Sequence, residues 1–229
     1  MALARNEQTL KVVWVRKRST PHLLLRYQGV GCTSPLLFGI IIMDIDYEKL
    51  KESLKNDFTN YHKLLTVPIR GEIWENLLVR SLGKQSSNLQ WDCGSHRVGT
   101  DIVFNKKKIS CKSGQIKGKK DPRLVISSHR TTSYSTLEEK LKYLSESHED
   151  IFFCLNHEEE TFFNQTSHKY RLFVFESKDV DYDSLSWEEA DGGWSGEGNF
   201  TAKIKKSMSD QLWLHFPLSM VNKLFEIEI

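Results

Sequence analysis

An aspartate at position 101 and the triplet Ser110-Cys111-Lys112 fall within VGTDIVFNKKKISCKSGQI, residues 98–116. TDIVF and KISCK read as two strands, joined by a lysine-rich turn around Asn105–Lys107. Side chains alternate along a strand, so Ser110 and Lys112 point one way and Cys111 the other. In such a hairpin Asp101 comes beside residues 110–112. A carboxylate, a hydroxyl and an ammonium then share one surface. These are parts suited to phosphodiester hydrolysis: a carboxylate holds Mg²⁺, the metal polarises the phosphate and activates a water, and a lysine orients that water or offsets developing negative charge. The main-chain carbonyl of Cys111 offers one more hard oxygen, while its thiol, facing away, reads as a small core group.

The elements that must hold these groups follow from apolar spacing. Tyr47, Leu50, Leu54 and Phe58 fall on one face of a helix running to about Asn60. After Val67-Pro68 a second helix is expected over GEIWENLLVRSLG, with Gly83 as its stop. NLQWDCG reads as a short strand entering a turn, LVISS as a strand and TLEEKLKYLSES as a helix. DIFFCL and KYRLFVFES are apolar strands. The chain closes with DGGWSGEGNFTAKIKKSMSDQLWLHFP and a short helical or strand tail. A final hairpin there places Phe200, Leu212, Trp213, Leu214 and Phe216 in the core. A helix, a three-strand meander, then a helix and further strands predict an α/β (α+β) domain, with a central mixed sheet flanked by helices.

Composition narrows the class without deciding it. A chain of 229 residues, 39% hydrophobic and 27% charged, has the make-up of an ordinary globular domain. Its formal net charge of +2 is unremarkable, but lysines gather at 106–108, 117–120 and 203–206. Clusters of that kind can build a basic face for a phosphate backbone. The four cysteines are scattered, with no finger-like spacing for zinc and no disulfide framework, which fits a reducing, cytoplasmic setting. LLFGIIIM is too short to span a bilayer, so no membrane association is expected. Residues 1–42 contain a single acid, Glu7, and no lasting periodicity. They are read either as an extension upstream of a functional start at Met43 or as an N-terminal arm packing on the domain spanning 43–229.

At the level of motifs, residues 68–128 resemble the PD-(D/E)xK nuclease superfamily, and within it the type II restriction endonucleases. Asp101 in GTDI matches the first metal-binding aspartate, and Ser110-Cys111-Lys112 ends in the expected lysine. RGEIWENLLVRSL is similar to the family's opening helix, where a glycine is followed four residues later by a metal-site glutamate; here these are Gly71 and Glu75. Ser110 departs from the pattern, which has Asp or Glu at that place. The resemblance therefore implies a recruited carboxylate, with Glu75 first and Glu72, Glu138 and Glu139 behind it. It implies a restriction-endonuclease-like domain that cuts double-stranded DNA with Mg²⁺ held by Asp101, Glu75 and the Cys111 carbonyl. Lys112 then positions the attacking water and Ser110 supports the site by hydrogen bonding. It further implies a homodimer on a palindromic site and a cognate DNA methyltransferase as functional partner.

DNA contacts are expected from Ser95, His96 and Arg97 in the turn before Asp101, and from Lys117, Lys119, Lys120 and Arg123 along a phosphate track. Within a recognition segment at about 192–217, Lys205 and Lys206 supply backbone attraction. Ser207, Ser209, Asp210 and Gln211 are of types that read base edges, and Met208 could wedge at a base step. Three other readings fit the same residues: a structure-specific repair or junction-resolving nuclease of that superfamily, a DNA-binding module with a decayed metal site, and an α/β protein whose motif is coincidence.

Overall fold

Asp46 starts the first helix by accepting the Lys49 amide on its carboxylate at 3.1 Å. The structure is a computed structural model that describes residues 44–91, 100–146, 148–163, 165–190, 192–206 and 209–229. Residues 1–42, read as an extension or an N-terminal arm, lie outside them. In helix α1 (Tyr47–His62) Leu50, Leu54 and Phe58 are fully buried, as their three- and four-residue spacing demands. Tyr47, expected on the same stripe, sits at the helix start and remains 36% exposed. Helix α2 (Gly71–Gly83) buries Trp74, Leu78 and Leu82, and Trp74 meets Phe58 edge-on at 6.2 Å.

Both helices cover one face of a mixed sheet. Its strands are β1 (Leu89–Trp91), β2 (Ile102–Phe104), β3 (Lys107–Lys117), β4 (Arg123–Arg130), β5 (Ile151–Phe162), β6 (Gln165–Glu176), β7 (Ser186–Ala190), β8 (Gly193–Glu197), β9 (Thr201–Lys205), β10 (Gln211–Pro217) and β11 (Asn222–Glu228). The order is β11-β6-β5-β3-β4-β10-β9-β8-β7, with β1 and β2 added beside β3. Every pairing is antiparallel except β3 with β5, whose strand direction is restored by β4 and helix α3 (Leu137–Ser145). Helix α3 packs on the opposite face, against Phe152, Cys154 and Leu124. The chain is thus an α+β fold with helices on both faces of the sheet, as the sequence predicts.

Two local features set the geometry around β3. Asn105 and Lys106 form the two-residue connection to β2 with positive φ at both positions, 49° and 73°, the twist that closes a tight hairpin. On the other side, Asp150 locks the parallel register: its carboxylate accepts the Lys108 amide at 2.7 Å and its own amide reaches the Lys108 carbonyl at 2.8 Å.

Strands β5 and β6 extend well past their apolar halves, through residues 157–169. The segment joining α1 to α2 is fastened there. Tyr170 accepts the Ile69 amide and hydrogen-bonds His62, both at 2.9 Å, while His168 Nε2 meets the Thr66 carbonyl at 3.0 Å. The sheet ends in two charged edges, β7 with exposed Glu188 and Glu189, and β11 with Lys223, Glu226 and Glu228. Among the described residues no helix is long and apolar enough to cross a membrane.

The tail is a strand rather than a helix. Phe200, Leu212, Leu214 and Phe216 are buried as expected, but Trp213 alternates to the opposite face and is half-buried. The loop before β10 hangs on Lys140, which is fully buried. Its ammonium donates to the Thr131 carbonyl at 2.7 Å, the Tyr134 carbonyl and Asp210 Oδ2 at 3.0 Å, and lies 5.6 Å from the Trp194 ring centre. Removing it takes a buried donor from a carboxylate and two carbonyls. Lys140→Ala is therefore expected to cost about 3–5 kcal/mol, read from urea unfolding; a loss under about 1 kcal/mol would show that the anchor carries little.

Candidate functional site

Strand β3 is paired along one side by β5 over residues 109–114. On its other side β2 covers residues 107–109 and β4 covers 114–117, leaving 110–113 without a strand partner there among the described residues. Asp101 occupies this opening. Its amide donates to the Ile109 carbonyl at 2.9 Å. Its Oδ2 accepts the Cys111 amide at 2.6 Å and the Ser110 hydroxyl at 3.2 Å. A residue's own N–H and C=O lie on the same side of a strand, so the Cys111 carbonyl also faces the opening. Oδ1 of Asp101 takes no hydrogen bond among the described residues.

Cross-strand burial shows which face each side chain takes. Cys111 joins the cluster under α1 and α2, its thiol pushed well above the usual range by burial first and by Asp101 and Glu75 next. Ser110 and Lys112 alternate to the α3 side, and Ser110 is fully buried. Glu75, on α2, is half-buried and makes no hydrogen bond among the described residues. Its carboxyl is raised by burial, then by Asp101 and Glu72, against a lowering effect of Lys112. The Glu75 carboxyl thus feels the charges of both Asp101 and Lys112. Lys112 itself has no hydrogen bond or ion pair among the described residues. Of the other acids, Glu72 is exposed and contributes through its charge on Glu75. Glu138 is exposed on α3, and Glu139 is spent capping that helix through the Ser135 and Thr136 amides.

These residues suit a hard divalent cation. Mg²⁺ takes oxygen ligands, commonly one or two carboxylates with water filling the rest. The Asp101 and Glu75 carboxylates and the Cys111 carbonyl are such oxygens, and a cation beside Glu75 offsets the negative charge of Asp101 that raises its carboxyl.

A second feature was not readable from the sequence. The face covered by α1 and α2 continues past β3 onto β4, β10 and β9, where no helix covers it among the described residues. Register places Gln115, Val125, His215 and Thr201 in one row across it, with Lys117 opposite Arg123 and Trp213 opposite Lys203. The lysine runs at 117–120 and 203–206 therefore meet on one surface, although far apart in the chain. His215 registers this: its imidazole is lowered by burial first, then by Lys203, Lys117, Arg123 and Lys205. The third run, 106–108, lies at the opposite end of β3, about 30 Å away at strand spacing, where Lys107 pairs with Asp44 at 2.7 Å.

The remaining expected contacts divide. Lys119, Lys120, Lys205 and Lys206 are exposed. Asp210 is bound to Lys140, and Gln211 donates to the His129 carbonyl at 2.9 Å, so both side chains are engaged within the fold. Ser209 lies in the turn before β10. Ser95, His96, Arg97, Ser207 and Met208 lie outside the described residues. Comparison with protein-family models, curated proteins and solved structures finds no match to this chain.

The basic face makes a prediction about pH. An unfolded histidine titrates near 6.5, and folded His215 titrates lower. Between those two values the unfolded chain binds the extra proton, so the His215 contribution is intact above about 6.5 and is lost as pH falls below it. The His215 ring proton signals should titrate below 6.5, and a polyanion laid across the face should move that midpoint up. A midpoint unmoved by heparin or DNA would argue against phosphate binding there.

Proposed function

We infer that this protein is a Mg²⁺-dependent nuclease acting on double-stranded DNA, with Asp101, Glu75 and Lys112 at its reacting centre. The observation that carries this reading is the break in β3 pairing among the described residues, where Asp101 is fixed beside the Cys111 backbone and the Glu75 carboxyl feels the charges of Asp101 and Lys112, next to a basic face.

The parts divide the work. Asp101 is fixed in the opening by the Cys111 amide and the Ser110 hydroxyl, which leaves Oδ1 for a cation. Ser110 is a positioning residue; it orients Asp101 and contributes no charge. Glu75 supplies the second carboxylate, compensating for the hydroxyl at 110. When bound, Mg²⁺ provides Lewis acidity toward a phosphoryl oxygen and a more acidic water. Lys112 donates hydrogen bonds to the attacking water or the phosphate oxygens, where negative charge builds as one P–O bond forms and another breaks. Lys117, Arg123, Lys203 and Lys205 hold the backbone through charge and counterion release. The finer reading is a type II restriction endonuclease, working as a homodimer on a palindromic site alongside a cognate methyltransferase.

The test is a digest of plasmid and phage DNA with Mg²⁺ for the wild type, Asp101→Ala and Lys112→Ala, with urea stabilities measured in parallel. Discrete bands, abolished by EDTA and reduced at least about 100-fold in both variants, are expected. Lys112→Ala should keep its stability within about 0.5 kcal/mol, because its ammonium has no hydrogen-bond or ion-pair partner among the described residues. Cutting that persists in both variants would move the chemistry elsewhere. A gel shift without cutting in any divalent metal would favour a binding module, for which the serine at 110 is the specific motive. Lys117→Ala and Lys203→Ala should each flatten the logarithmic salt dependence of DNA binding by about one unit.

A further inference from the structure

At the far end of the β5–β6 hairpin, away from the opening in β3, three metal-ligating side chains converge. His157 and Glu159 share a face of β5 by alternation, and His168 of β6 stands directly across from Glu159. One ligand atom from each lies within 4.8 Å of the others. His157 Nε2 and His168 Nδ1 are 3.0 Å apart.

The hydrogen bonds around them settle where the ring protons reside. His168 Nε2 faces the Thr66 carbonyl at 3.0 Å and must carry a proton, so Nδ1 presents a lone pair. The proton between the two rings then belongs to His157 Nε2. His157 Nδ1 in turn presents its lone pair to Arg70 Nη2, at 3.2 Å. His168 is thereby prepared as a ligand: buried, stacked on His62 at 4.6 Å, and oriented by a carbonyl on its second nitrogen, the support that metal-bound imidazoles ordinarily have. Glu159 has no hydrogen bond or ion pair among the described residues, although its oxygen points to the same centre.

We propose that His157, Glu159 and His168 form a binding site for a borderline divalent cation of the Zn²⁺ class, with Arg70 as its competitor. Two imidazole nitrogens and a carboxylate oxygen select Zn²⁺ or Co²⁺ over Mg²⁺ or Ca²⁺. Bonds of about 2.0–2.1 Å to a tetrahedral ion put two nitrogens about 3.3 Å apart, close to the spacing already present. Water completes the fourth position. The ion displaces the proton on His157 Nε2, which moves through solvent to Nδ1, so the ring stays neutral. Nδ1–H can no longer accept from Arg70, and the exposed guanidinium must swing away. Arg70 therefore opposes the metal both as a cation and as a competing donor.

The experiment is Co²⁺ and Zn²⁺ titration of the full chain, followed by visible d–d absorption and by thermal unfolding. One equivalent of Co²⁺ should give a tetrahedral spectrum, and Zn²⁺ should displace it and raise the unfolding temperature. Glu159→Gln, an exposed change, and His157→Gln should each weaken binding at least about tenfold. Arg70→Ala should tighten it by roughly tenfold. Glu75→Gln should leave the spectrum in place, which separates this site from the opening in β3. No spectrum in either the wild type or Arg70→Ala would overturn the proposal and leave the cluster as a hydrogen-bonded fastening. Binding that survives Glu159→Gln and His157→Gln would overturn it equally, by placing the ion elsewhere.

Discussion

The hydrogen bond from the Cys111 amide to Asp101 completes a stretch of β3 that no strand among the described residues pairs on that side. A sheet interior tolerates an unpaired amide poorly, and a buried unmade hydrogen bond costs about 1–3 kcal/mol. Here a charged acceptor meets the need at 2.6 Å, so β2 and β4 can part without leaving the amide unsatisfied. Around that parting the charges of Asp101 and of Lys112 on β3 both act on the Glu75 carboxyl of α2. The reactive character of the opening and the integrity of the sheet thus rest on one contact.

The two halves of the sheet face differ in that, among the described residues, helices cover only one of them. Under α1 and α2 the residues are apolar: Ile109, Phe153, Leu155 and Leu172. From the last residues of β3 onward the same face carries Gln115, Lys117, Lys203 and His215, for which water is the alternative partner. Gly114, on the reverse face, helps β3 pass between these regimes, since a Cβ there would lie 2.7 Å from the Leu124 side chain. Positive charge collects where no hydrophobic layer demands otherwise, and it collects next to the acids.

How much of this was legible in the sequence depended on range. The β2–β3 hairpin, both early helices and Leu50, Leu54 and Phe58 follow from local periodicity. The nearness of Asp101 to Ser110 and Lys112 follows from the hairpin as well. The basic face does not, because it needs the order β3-β4-β10-β9, and a sequence pattern does not reveal which distant strands pair. Asp210 and Gln211 looked available for the same reason: Lys140, some seventy positions from Asp210, draws the loop inward. The polar half of β5–β6 was missed because HEEET and QTSHK lack an apolar rhythm. Its strand pairing continues from the apolar half, and Tyr170 and His168 hold it to the linker between α1 and α2.

The charged edges of the sheet bear on how copies of this chain can meet. An open sheet exposes unpaired backbone groups at its ends and invites another strand to join. The β7 edge presents Glu188 and Glu189, and β11 combines Lys223, Glu226 and Glu228 with a register irregularity between Lys223 and Phe225. A neighbouring β7 would bring like charges together, and the irregularity in β11 interrupts a continuous ladder. Both are devices against sheet extension, which would turn a globular protein into a fibre. Symmetric association is thereby directed away from these edges and toward helices, loops or the broad faces of the molecule.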